Sequence, residues 1–136
     1  MTNRKLGNGF EQELCEKLSE CGFWVHCMTQ NKAGQPADII AVKDKRAYLI
    51  DAKVVSSSRG FALSRVEENQ DLAMEVWKSK GNGQGWFALK LNDEIYMIPH
   101  LCMTSYMARK SSLTIEDIKL LGKSLEMWVK KYASSS

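Results

Sequence analysis

The chain predicts an α/β fold, a mixed central sheet flanked by helices. Three observations carry it. Helical and strand patterns alternate: a helix, three strands, a helix, two strands, then C-terminal helices, an order that builds layers of helix on sheet. Two apolar runs, about Asp38–Val42 and Ala47–Val54, are separated only by the charged turn Lys43–Arg46, which folds them into a hairpin. The run from Tyr48 to Val55 is apolar enough to be a central buried strand.

The first helix opens at Asn8-Gly9-Phe10-Glu11, with Phe10, Leu14 and Leu18 on one face at i, i+4 and i+8. A first strand spans about Phe23–Thr29, and the hairpin follows. Ser56–Gly60 is a polar loop, Phe61-Ala62-Leu63 is apolar, and Ser64-x-x-Glu67 is a capping box that opens the next helix. Gln70 lies on that helix, with Val66, Ala73 and Trp77 on its apolar side. Gly85–Leu91 and Glu94–Pro99 are two strands joined at Asn92-Asp93. Thr114-x-x-Asp117 starts a helix carrying Ile118 and Leu121, and Gly122 stops it. Leu125, Trp128, Val129 and Tyr132 form a last amphipathic stripe expected to pack on the core.

Composition narrows the class. The 136 residues, 44% hydrophobic and 26% charged, suit one globular domain spanning 1–136. Net charge is +3 and the isoelectric point about 8.7, which permits nucleic acid as a partner without requiring it. Placement is more telling: Arg4, Lys5, Lys32, Arg59 and Arg65 all flank the candidate site in sequence, as does Lys53 within it. The N-terminal residues Met1–Glu11 are polar, so no leader is expected, and no apolar run nears the roughly 20 residues of a membrane span. A cytoplasmic protein is expected. Cys15, Cys21, Cys27 and Cys102 form no C-x-x-C pair, and His26 and His100 complete no zinc spacing, so reduced thiols and surface or packing histidines are expected.

The chemistry concentrates between Gly34 and Lys53. Asp38 opens the first hairpin run, and Asp51 and Lys53 close the second on the same side of a strand. The hairpin brings Asp38 near Asp51. A charge in a buried strand is costly unless paired or metal-bound, which sets Asp51 apart from an ordinary surface carboxylate; for Asp38 taken alone the surface reading is the better one. Two carboxylates suit Mg²⁺, a hard ion that prefers oxygen ligands and keeps several waters. Such an ion polarises a phosphoryl oxygen and acidifies a bound water. Lys53 is placed to orient that water or offset charge growing on a phosphate.

These residues resemble the PD-(D/E)XK nuclease superfamily. Pro36-Ala37-Asp38 stands for its first half-motif with one residue inserted, and Asp51-Ala52-Lys53 for its second, with aspartate where many relatives carry glutamate. Within that superfamily the chain resembles Holliday-junction resolvases. These open with a basic tail, here Arg4-Lys5, a glycine, and a first-helix glutamate that joins the metal site, here Glu11. The downstream order of a phenylalanine-bearing loop, a helix with Gln70, and the Gly85–Pro99 strand pair resembles RecU-type resolvases, with Asn69 where they often carry histidine. Only a short segment separates Cys27 from the motif, which leaves no room for the RecU stalk and makes compact archaeal resolvases a comparable match.

The resemblance implies a restriction-endonuclease-like fold and a metal-dependent DNA endonuclease cutting four-way junctions as a homodimer. Asp38, Asp51 and Glu11 would hold Mg²⁺, or Mn²⁺ in its place, with Lys53 and Gln70 completing the catalytic set. Arg4, Lys5, Lys32, Arg59 and Arg65 would contact DNA. Competing readings are a restriction, repair or flap-type nuclease of the same fold, and a non-catalytic DNA-binding protein built on it.

Overall fold

A computed structural model describes residues 9–28 and 37–133. Arg4, Lys5, Lys32 and Pro36 lie outside the described residues. Helix α1 (Gly9–Glu20) leads into β1 (Trp24–Cys27), β2 (Ile39–Lys43) and β3 (Arg46–Val55). A short strand β4 (Phe61–Ala62) precedes helix α2 (Glu68–Trp77). Strands β5 (Trp86–Leu91) and β6 (Glu94–Pro99) run directly into helix α3 (His100–Met107). The chain ends with β7 (Ser112–Leu113), α4 (Ile115–Leu121), β8 (Lys123–Ser124) and α5 (Leu125–Trp128), which widens into a final turn over Val129–Ala133.

The sheet order is β1-β2-β3-β5-β6-β8, and β4 pairs with β7 in a separate two-stranded ribbon. Among the described residues only β3 and β5 run parallel; their neighbours are antiparallel, so the sheet is mixed as the sequence predicts. The β2–β3 turn is as tight as the charged Lys43–Arg46 segment implies. Asp44 and Lys45 both take positive φ (52° and 70°), the geometry of a two-residue hairpin whose twist matches its strands.

Side chains alternate between two cores. Tyr48, Ile50, Trp86, Ala88, Ile95 and Met97 face one side, where Phe10, Leu14 and Leu18 of α1 and Trp128 of α5 cover them. Leu49, Val55, Phe87, Leu89 and Ile98 face the other, under Met74 of α2, Met103 of α3 and Ile118 of α4. Trp128 is fully buried, with ring edges toward Tyr48 and Trp86, so the last amphipathic stripe packs inward as expected. Burying one such aromatic contributes about 1.5–3 kcal/mol or more.

Two local readings are corrected, and one helix the sequence does not announce is added. The second helix starts at Glu68, not after Ser64: Leu63 and Val66 are drawn into the core through a short turn, and Gln70 Oε1 accepts the Glu67 N–H (3.2 Å), so the reciprocal cap lies one turn later. Helix α3 carries apolar residues on all sides and so lacks the periodicity that announces a helix. Cys15 and Cys27 form a disulfide between α1 and β1, in place of reduced thiols, because packing of the helix on the strand brings together residues with no telling spacing; Cys21 and Cys102 are free.

Candidate active site

The site forms where β2 stops and β3 continues. The β2–β3 ladder ends at Ile39 opposite Ile50, while β3 runs on to Val55. Asp38 sits at this fork: its N–H donates to the Ile50 carbonyl (3.2 Å), which sets it beside Asp51. The backbone edge exposed beyond the fork is satisfied by side chains. Asp38 Oδ2 accepts the Ala52 N–H (2.9 Å), and Arg65 Nη1 donates to the Val54 carbonyl (2.8 Å).

Asp51 is wholly buried and points, with Lys53, toward α2. Gln70, the third residue of α2, ties the two together. Its Nε2 donates to Asp51 Oδ1 (3.0 Å), and its Oε1 accepts from Lys53 Nζ (3.3 Å). Lys53 Nζ also lies 3.1 Å from Asp51 Oδ2. That approach supplies charge but not an aligned hydrogen bond, so Oδ2 is a buried carboxylate oxygen with no donor aimed at it. Glu11 enters from α1 on the opposite layer, half-buried, and its carboxyl hydrogen-bonds that of Asp38.

Three carboxylates from α1, the β2 fork and β3 therefore crowd one point. Burial, then the Asp38 charge, pushes Asp51 up to about 8 from its ordinary 3.8, with Lys53 only partly offsetting them. Burial and Asp38 likewise push Glu11 up to about 7 from 4.5. Like charges cannot share so small a space without protons or a cation between them. An oxygen-only donor set, one of its oxygens buried and unaligned, with access from the open edge of β3, fits a hard divalent ion.

The N-terminal 129 residues match the family described as archaeal Holliday junction resolvase (Hjc). The chain belongs to this family. The resolvase fold agrees: the structure is similar to that of Archaeoglobus fulgidus Hjc, a Holliday junction resolvase from an archaeal hyperthermophile, with TM-score 0.66 and 17% identity over 88% of this chain and 97% of that one. No curated protein matches. The resolvase is a nuclease acting on DNA junctions. Among the described residues no helix is long and apolar enough to cross a membrane.

Glu11, Asp38, Asp51, Lys53 and Gln70 thus converge, while Arg59 and Arg65 lie on the loop and turn that follow β3. Arg4, Lys5 and Lys32 lie outside the described residues. One group escaped the sequence reading. His100 is buried, with Nε2 2.6 Å from Asp71 Oδ1 and Nδ1 3.8 Å from Glu75 Oε1. These three offer ligand atoms close to one another, but the ring nitrogen is already engaged in a hydrogen bond with Asp71. The pair pins α2 to the start of α3, one residue along from Gln70. The helical spacing of Asp71 and Glu75 is visible in sequence, but nothing there pairs them with His100.

Proposed function

We propose that the resolvase is a Mg²⁺-dependent endonuclease that cuts four-way junctions as a homodimer. The observation that carries this reading is the convergence of Glu11, Asp38 and Asp51 beside a lysine that Gln70 joins to Asp51. Asp38, Asp51 and Glu11 would hold the ion. When bound, it would draw charge from the scissile phosphate and acidify the attacking water. Mn²⁺, with similar oxygen preference, would substitute.

Each residue then has a distinct task. Gln70 Nε2 occupies Asp51 Oδ1, which leaves Oδ2 as the oxygen that would be available to an ion. Gln70 holds Lys53 through its carbonyl and so fixes the ammonium at the rim of the site. Lys53 is about 14% exposed, far enough out to meet a substrate phosphate or the water that attacks it. Its compact charge offsets the extra negative charge of the five-coordinate phosphorus, where preorganised charge counts most. Burial and the neighbouring Asp38 carboxylate hold Glu11 up at about 7, and a cation at this point would favour its ionised form.

The dimer follows from substrate symmetry. A four-way junction is close to two-fold symmetric and needs two matched cuts, and each chain carries one such site. Two chains related by a two-fold axis present identical sites to symmetry-related strands. Sedimentation and cleavage of four-way junctions against linear and flapped duplexes test the reading. A dimer that nicks junctions in Mg²⁺ in preference to duplex, and an Asp51→Asn variant that binds junctions but leaves them intact, are expected. A monomer cutting all substrates alike would refute the junction assignment.

A further inference from the structure

Beyond the metal cluster, the open edge of β3 leads to a second basic element. Val54, next to Lys53, is exposed, and its carbonyl is held by Arg65. Arg65 follows β4, which pairs with β7: Phe61 lies opposite Leu113, Ala62 opposite Ser112, and the Leu63 N–H donates to the Ser111 carbonyl (2.9 Å). The pairing ends there, and Arg65 and Arg109 each lie two residues past that last contact, so both are carried at the same end of the ribbon. The approach of the two strands is close enough to demand glycine at the loop's end. Gly60 has φ +75°, and a Cβ there would collide with the Leu113 carbonyl.

The two arginines are prepared alike. The Arg65 guanidinium lies 5.0 Å from the Phe61 ring centre and that of Arg109 lies 4.8 Å from the Tyr106 ring centre. Arg109 Nε also reaches the Ser105 carbonyl (3.5 Å). Both arginines are exposed, and neither has a carboxylate partner among the described residues. Neighbouring Lys110 is different: it is committed to Asp117 at 3.0 Å. A guanidinium stacked on a ring keeps its outward N–H groups aligned and loses little freedom when it meets a phosphate.

We propose that the β4–β7 ribbon is part of the DNA interface, and that Arg109, stacked on Tyr106, acts with Arg65 as a clamp on the phosphate backbone flanking the cleaved bond. This rests on the resolvase reading and adds a contact from the C-terminal third of the chain. Phosphate contacts position a duplex without reading its sequence, so the clamp sets register and affinity rather than base preference.

The test is the salt dependence of binding to a labelled four-way junction in EDTA, which separates binding from cleavage. Losing one phosphate contact lowers the slope of log affinity against log salt by about 0.9. For Arg109→Gln, the affinity ratio of wild type to variant should therefore narrow about three- to fourfold between roughly 50 and 200 mM salt. Arg109→Met, which keeps an aliphatic stem over Tyr106, should lose the same slope and so separates charge from folding. Arg109→Lys should retain most of it. Lys45→Gln, at the hairpin tip on the far end of β3, should match wild type. Wild-type slopes in both Arg109→Gln and Arg109→Met, with a reduced slope in Arg65→Gln, would overturn the ribbon's role and leave the junction reading standing. A wild-type protein with no affinity for junctions would overturn the reading beneath it.

Discussion

Replacing Asp51 with asparagine should stabilise the metal-free protein at neutral and alkaline pH while abolishing its response to Mg²⁺. Asp51 is fully buried, and burial with the nearby Asp38 charge raises its carboxyl to about 8 from an ordinary 3.8. The folded state therefore keeps a proton that the unfolded state releases. Stability linked to this group is complete below about pH 4 and drains away as pH rises toward 8. Within that window one proton is worth about 1.4 kcal/mol per pH unit. Between about pH 5 and 7, Asp51 alone should cost the wild type about 2–3 kcal/mol, or roughly 8–10 °C in Tm for a domain of this size. The substituted amide cannot ionise yet still accepts from Gln70 Nε2, so the variant's melting temperature should fall less steeply over the same range. At about pH 8, Mg²⁺ at ten times its dissociation constant should add about 1.4 kcal/mol to the wild type and nothing comparable to the variant. Thermal melts in EDTA across the pH range, repeated with Mg²⁺, measure both halves. Equal pH slopes in the two proteins, or equal stabilisation by Mg²⁺, would refute the crowded-carboxylate account.

Other expectations follow from the same contacts. Lys53→Ala should slow junction cleavage by at least about a hundredfold, in line with loss of one preorganised charge, while the Mg²⁺-induced rise in Tm persists; Lys53→Arg should restore little in a turnover assay, since a planar fork does not replace a compact ammonium. Gln70→Leu removes a neutral donor to a buried carboxylate and should cost about 1–3 kcal/mol at pH 8 by chemical denaturation, and less in the Asp51→Asn background, where the acceptor it orphans is a neutral amide. His100→Phe keeps the packing against Phe87 but frees Asp71, and should weaken the protein by about 1 kcal/mol or more while lowering turnover through α2; an unchanged rate would confine the pair to stability. Thiol titration of the unfolded, unreduced protein should find two free thiols, Cys21 and Cys102, and four after reduction.

The hairpin and the meeting of Asp38 with Asp51 and Lys53 were legible in the chain because both rest on short-range geometry. A strand sends Asp51 and Lys53 the same way, and a two-residue turn returns Asp38 beside them, so the site's core lies within one stretch of sequence. The burial of Tyr48–Ile50 and of the Trp86–Leu89 strand was equally visible as apolar runs. Helix boundaries were less so. Ser64-x-x-Glu67 has the capping pattern, yet burial of Leu63 and Val66 moves the helix start to Glu68, since tertiary packing outweighs a cap worth about 1 kcal/mol.

What only the tertiary structure decided is which distant residues meet. Local pattern marked Glu11 and Gln70 as lying on helices, but not that α1 and α2 approach the β2–β3 fork from opposite layers. The crowding that lifts Glu11 and Asp51 into the neutral range exists only after both helices have packed. The same holds for Cys15 with Cys27, His100 with Asp71, and the two-residue strands that carry Arg65 and Arg109 at the same end of their ribbon. Such contacts leave no period or spacing in the chain, because each is made by the burial of an apolar face whose polar neighbours are carried along with it.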